Sequence, residues 1–243
     1  AYNWLIYYFE TDHRHFIRNY REDKAKCQQV LESVCSLLNQ LPCFSNDFEQ
    51  LAILAQKFTN NPHFFDEEST RDLLRKGISY LLEINEEYST NEILNQAGIL
   101  RDELSNFCYI CHIEPQSHHS SWHQFYVDYE PWNMNMYNLV SLKGGFCCQD
   151  VYILENPSVF FSLLNIAKEN ALNIGLISSN GQINGCTYLL LERLVESGCH
   201  LYYAGDFDPE GLVIADKLKQ RYGKHLDLWL YESELYDQNK MEC

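Results

Sequence analysis

Basic residues are scarce in this chain, with 18 lysines and arginines against 34 aspartates and glutamates over 243 residues and a formal net charge of −16. Affinity for a phosphate backbone comes from clustered basic side chains, so bulk attraction to nucleic acid is excluded. Any such contact has to use a local basic patch, a metal ion or a basic partner. Long apolar runs are missing as well: no stretch of about 18 uninterrupted apolar residues exists, which excludes an apolar membrane-spanning helix. The apolar opening Tyr2 to Phe9 has neither a basic flank before it nor a small-residue cleavage site after it, and so does not read as a secretory leader. Because the chain opens on Ala1 inside that run, it is expected to be part of a longer polypeptide.

A second Cys-x-x-Cys is also absent. Cys108 and Cys111 have metal-ligand spacing, and His112, His118, His119 and His123 lie close by, but the run around the cysteines is apolar and strand-like. Core thiols beside a polar histidine loop are favoured over a zinc site. With no mark of secretion, the ten cysteines read as free thiols in a reducing cytoplasm. The 14% aromatic content argues against disorder.

What is present divides into three regions. Residues 1–106 read as mostly helical, with Val30, Leu31, Val34, Leu37 and Leu38 at helical spacing. A helix is predicted from Asp47 or Phe48 to Phe58, a second capped by Ser69, and a third over Asn91 to Ala97 closed by Gly98. Residues 107–145 read as a β-containing connector, with strands at Phe107–Ile113 and Trp122–Val127 and a continuation at Met136–Leu142. Residues 146–243 alternate strands and helices: strands at Val151–Leu154, Asn173–Ile177, His200–Ala204 and Leu226–Leu230, with helices from Pro157, from about Asn184 and from Pro209. That rhythm predicts right-handed βαβ units and an α/β fold with a four-stranded parallel sheet flanked by helices.

Candidate chemistry collects at the strand ends. Asp206 and Asp208 follow the buried strand His200–Ala204, at the carboxyl end where open α/β sheets place their ligands. Asp208 suits an N-cap and Pro209 the first helical position. Glu155 ends the first strand of the region in the same way, followed by Asn156 and Pro157. If the two strands are neighbours, three carboxylates meet beside two helix N-termini, an arrangement suited to Mg²⁺ bound to phosphate, with Mn²⁺ as a substitute. Taken singly, Glu155 reads as a helix-end acid and Asp208 as a cap. Glu210 is a further metal candidate. Ser179, Gly181 and Gln182, in the loop after the intervening strand, are secondary candidates for phosphate contact, as are Lys217, Lys219 and Arg221, with Lys224 beside them.

Glu at one strand end and Asp-x-Asp-Pro-x-Gly at a later one resemble the Toprim domain of DnaG-type primases, topoisomerases, OLD-family nucleases and the topoisomerase VI A subunit with its Spo11 relatives. Val151-Tyr-Ile-Leu-Glu155-Asn-Pro157, the Ser179-Asn-Gly181-Gln182 loop and Tyr203-Ala-Gly205-Asp206-Phe-Asp208-x-x-Gly211-Leu are more similar still to the JetD family, the Toprim nuclease subunits of Wadjet-type plasmid-defence systems. Leu51 to His63 and Ala97 to Ser105 also resemble that family's middle region. The likeness spans about residue 50 to the end and is specific over 151–232. It implies a Mg²⁺-dependent DNA nuclease in the cytoplasm, acting on double-stranded plasmid DNA with condensin-like SMC and kleisin subunits and compatible with a homodimer. Glu155, Asp206 and Asp208 would be the catalytic carboxylates, with metal-activated water as nucleophile. The alternatives are a non-cleaving Toprim-like scaffold for DNA or a partner, and a phosphatase of haloacid dehalogenase type. The phosphatase expects a small hydroxyl residue where this chain has Glu210.

Overall fold

The structure is a computed structural model that describes residues 1–11, 17, 20–21, 23–85, 88–101, 106–117, 119–147, 149–179, 181 and 183–231. It divides into two compact units, Ala1–Arg101 and Asp102–Cys243. None of the described helices is long and apolar enough to cross a membrane.

The first unit is helical, with α1 (Tyr2–Thr11), α2 (Lys24–Leu38), α3 (Leu51–Thr59), α4 (Glu68–Leu82) and α5 (Thr90–Gln96). Its core joins Trp4, Val34, Leu37, Leu74, Ile78 and Ile93, so the periodic apolar positions of the sequence do face inward. Two short strands, β1 (Glu49–Gln50) and β2 (Ile99–Leu100), pair in parallel. β1 takes the residues expected to begin α3, which therefore starts at Leu51. The cap of α4 also differs from expectation. Glu67 holds the cap position without a side-chain cap bond, and the Ser69 hydroxyl donates to Glu67 at 2.8 Å from inside the helix. In α5 the cap is Ser89, whose hydroxyl accepts from the Glu92 N–H while the Glu92 carboxylate accepts from the Ser89 N–H, a reciprocal capping box.

The second unit is built on one six-stranded mixed sheet. Its strands are β3 (Phe107–Cys111), β4 (Trp132–Asn135), β5 (Asp150–Leu154), β6 (Ile174–Ser178), β7 (His200–Ala204) and β8 (Leu226–Leu228), in the order β4-β3-β6-β5-β7-β8. β6, β5, β7 and β8 run parallel, β3 runs antiparallel to β6, and β4 antiparallel to β3. The expected separate connector is thus corrected: β3 and β4 extend the same sheet, with Tyr109 opposite Ser178.

Two connector strands are corrected to helices, α6 (Ser120–Val127) and α7 (Met136–Ser141). The β-forming composition of Trp122–Val127 suggested a strand. Tertiary contacts decide otherwise: Trp122 is buried, its indole N–H donates to the Ile113 carbonyl at 2.7 Å, and its ring meets Trp132 edge-on. α7 begins at a second capping box, between Asn135 and Asn138.

α8 (Pro157–Glu169) links β5 to β6, α9 (Gly185–Glu196) links β6 to β7, and α10 (Pro209–Tyr222) links β7 to β8. Each begins at an Asx residue whose side chain accepts a backbone N–H: Asn156, Asn184 and Asp208. From β5 the chain passes to β6 on one side, and from β7 it passes to β8 on the other, while β5 and β7 are themselves adjacent. Right-handed crossovers then set α8 and α10 on opposite faces, and the chain leaves a crevice between the carboxyl ends of β5 and β7.

Candidate functional site

That crevice holds the predicted acids. The register pairs Leu154 with Ala204, so Glu155 and Gly205 are the next residues out on each strand. The Glu155 N–H donates to the Ala204 carbonyl at 3.1 Å, continuing the ladder beyond the strands. The half-buried Glu155 carboxylate turns across to β7. Its Oε2 accepts the Tyr203 hydroxyl at 3.1 Å and the Asp206 backbone N–H at 3.2 Å. Gly205 makes this crossing feasible: a Cβ there would collide with Glu155 Oε2 and stand 2.5 Å from the Tyr203 oxygen.

Asp206, Asp208 and Glu210 are exposed. Asp208 caps α10, its Oδ1 accepting the Gly211 N–H at 2.7 Å, with Pro209 in the first turn. Gly211 has no room for a side chain, because a Cβ would strike the Asp206 carbonyl oxygen. Asn156 caps α8 in parallel fashion, accepting the Ser158 N–H at 2.8 Å. Two helix N-termini therefore flank one acidic edge.

The described residues of the loop after β6 are hydrogen-bonded to the end of β5. The Ser179 N–H donates to the Leu154 carbonyl at 3.2 Å, and the Gly181 N–H to the Glu155 carbonyl at 3.3 Å. Ser179 is 3% exposed and its hydroxyl donates to the Gly181 carbonyl, so the hydroxyl is occupied in shaping the loop. Gly181 takes φ 97°, a left-handed conformation that favours glycine. Gln182 lies outside the described residues.

Residues 132–242 match the family model described as Protein of unknown function C-terminus (DUF2399), and residues 1–115 match Protein of unknown function N-terminus (DUF3323). The chain carries both domains. No curated protein matches it. All three carboxylates, both flanking helices and the loop fall within the DUF2399 match.

At the other end of α10 the DUF2399 domain keeps its basic residues, about 15 Å along the helix axis from the cap. There the Lys219 ammonium donates to the Leu226 carbonyl and pairs with Asp227 at 3.2 Å. Arg221 pairs with Glu192 and lies 4.3 Å over the Tyr188 ring. Both are bound to their own domain, and only Lys217 and Lys224 of the cluster are exposed. The structure does not bring this cluster to the carboxylate edge.

Two phenols back the edge. Tyr203 is fully buried. Burial, then the charge of Glu155, pushes its hydroxyl far above the usual phenol range, so it stays a proton donor. Tyr231 stacks near Tyr203 and meets Phe207 edge-on. Burial pushes it up to about 12, opposed by the Gly205 backbone and reinforced by Glu155, Asp206 and Asp208. Its hydroxyl oxygen is buried beside the Gly205 backbone and makes no well-formed hydrogen bond among the described residues. The sequence assigns neither tyrosine a role, although Tyr203 opens the Tyr203-Ala-Gly205-Asp206 run. The signal for Tyr203 was a large phenol in an otherwise apolar buried strand, which needs somewhere for its O–H to go.

The edge has the donor chemistry of a hard divalent cation. Among the described residues, Glu155 Oε1, both Asp206 oxygens, Asp208 Oδ2 and the Glu210 carboxylate make no hydrogen bond or ion pair. No three His, Cys, Asp or Glu side chains of the described residues are drawn into a metal-holding group. Among the described residues the cysteine–histidine segment gathers no such group either. Cys111 packs with Leu154 and Leu176, whereas Cys108 interacts with Cys186, as expected for positions three apart on a strand. His112 is stacked between Tyr126 and Tyr129 at 4.0 Å from each, with Nδ1 2.9 Å from the Tyr126 carbonyl. His118 lies outside the described residues.

Proposed function

We propose that this chain is a divalent-cation-dependent DNA endonuclease of Toprim type that hydrolyses phosphodiesters at the β5–β7 edge, working with condensin-like SMC and kleisin subunits against plasmid DNA. The observation that carries the reading is the hydrogen bond from the Asp206 N–H to Glu155 Oε2 at 3.2 Å. It joins two acids 51 residues apart at a topological switch point, beside the N-termini of α8 and α10. The resemblance of residues 151–232 to JetD nucleases supplies the substrate class and the partners.

Glu155, Asp206 and Asp208 would hold Mg²⁺ or Mn²⁺, with Glu210 within the same edge. When bound, the cation would polarise the phosphate and lower the pKa of a coordinated water. The chain's own residues do the rest. The positive ends of the α8 and α10 helix dipoles favour an anionic group at the edge, although their caps already take the Ser158, Val159 and Gly211 N–H groups. Glu155, held from β7, presents its second oxygen to the crevice as a base or orienter of the attacking water. Partner subunits supply the DNA-holding charge that a chain of −16 lacks.

A second reading is a non-cleaving scaffold, favoured by the distance of the basic cluster from the edge and by the commitment of Asp208 to its own helix. Nicking of supercoiled plasmid by the chain with its partners in Mg²⁺ or Mn²⁺ separates the two. Cleavage lost in Glu155→Gln, with DNA binding in Ca²⁺ retained, supports the nuclease. DNA binding without any cleavage by the unaltered chain supports the scaffold.

A further inference from the structure

Tyr203 is the one fully buried polar side chain of β7, and it is completely enclosed. A buried hydroxyl has to find an acceptor, and this one finds Glu155 Oε2 at 3.1 Å. The same oxygen takes the Asp206 N–H, so both donors to Glu155 come from one strand and converge on one oxygen. Gly205, between those donors, carries no side chain at the place where a Cβ would displace both the carboxylate and the phenol. Tyr231 and Phe207 pack on the outer side of the pair. The neighbouring Tyr202 points the other way, stacked on Tyr152 at 4.8 Å on the opposite face of the sheet.

We propose that Tyr203 is a positioning residue for Glu155: its hydroxyl fixes one carboxylate oxygen against β7 and thereby aims the other into the crevice. The inference rests on the nuclease reading. A glutamate has three side-chain torsions, and a single backbone donor leaves the carboxylate free to rotate about that one bond. Two donors on the same oxygen define the carboxylate plane. The hydroxyl touches neither substrate nor cation; it acts through Glu155.

The experiment compares Tyr203→Phe with Tyr202→Phe, using the chain with its partners. Phe keeps the ring and the packing and removes only the hydroxyl, and Tyr202 supplies the same loss on the other face. Three quantities are read: the Mn²⁺ binding curve of the chain by calorimetry, the single-turnover nicking rate at saturating Mn²⁺, and plasmid affinity in Ca²⁺. In Tyr203→Phe, Mn²⁺ affinity and nicking rate each fall about tenfold, the scale of one lost hydrogen bond to a charged group, while plasmid affinity stays within about twofold. Tyr202→Phe leaves all three unchanged. A Tyr203→Phe chain that binds Mn²⁺ and nicks plasmid like the unaltered chain overturns the positioning role and leaves the nuclease reading standing. A drop in plasmid affinity matching the drop in rate also overturns it, because the hydroxyl would then be shaping the binding surface. An unaltered chain that neither binds Mn²⁺ nor nicks overturns the nuclease reading, and this inference with it.

Discussion

The ends of β5 and β7 are written in nearly the same local grammar and wired differently. Each strand runs into an Asx–Pro pair that starts a helix: Asn156-Pro157 and Asp208-Pro209. At the end of β7 the acid is spent locally, Asp208 bonding the N–H of Gly211 three residues on. At the end of β5 the Asx position is the neutral Asn156, and the acid one residue earlier is free to reach across strands to Tyr203 and Asp206. The difference separates two roles for carboxylates that look alike in sequence. One carboxylate builds a helix start, and the other is aimed by a neighbouring strand.

Substitutions break this comparison in order of effect. The largest is expected at the cross-strand acid: Glu155→Gln or Asp206→Ala lowers single-turnover plasmid nicking by at least about 10²-fold, the scale of a lost general base or its partner. Nicking at an unaltered rate in either variant would sink the metal-nuclease reading. Next comes Gly211→Ala, which drives a methyl group into the Asp206 carbonyl. A stability loss of about 1–3 kcal/mol in urea unfolding is expected, the range of overpacked sites, together with reduced nicking as Asp206 is pushed aside. Asp208→Ala and Asp206→Ala then sharpen the contrast between the two aspartates. The first removes a cap and costs about 1 kcal/mol. The second removes an exposed acid with no side-chain partner among the described residues and leaves the unfolding midpoint in place. Equal losses in both would show that the cap is not what distinguishes them. The smallest effect is expected at Tyr231→Phe, which deletes a buried hydroxyl that makes no well-formed hydrogen bond among the described residues. Removing that desolvated group raises stability by up to about 1 kcal/mol, and a fall in the unfolding midpoint would mean the hydroxyl has a partner after all.

Legibility followed the range of the interactions. Asp208 as cap, Pro209 in the first turn and Gly223 past the end of α10 are contacts within a few residues, and the sequence carries them directly. The parallel strand β6 is readable because burial on both faces leaves an unalternating apolar run, whereas β7 alternates between buried and half-buried positions. Trp122–Val127 has the composition of a strand, and its helical state depends on what Trp122 packs against. The missed cap at Ser89 was local and legible, since Glu92 stands at the spacing of a capping box.

By itself, then, the sequence determined that two acidic strand ends exist, that each opens a helix, and that the chain is too acidic to hold DNA by charge alone. It could not determine that β5 and β7 are neighbours. Strand order is decided by how crossovers pack on a sheet, and β6 comes between them in the chain but not in the sheet. Only that adjacency brings Glu155 to the Asp206 N–H and gives the Tyr203 hydroxyl an acceptor. It also explains why Gly205 must lack a side chain. A hydrogen bond between residues 51 apart leaves no periodic trace along the chain, because its geometry belongs to the packing of two strands and to neither strand alone.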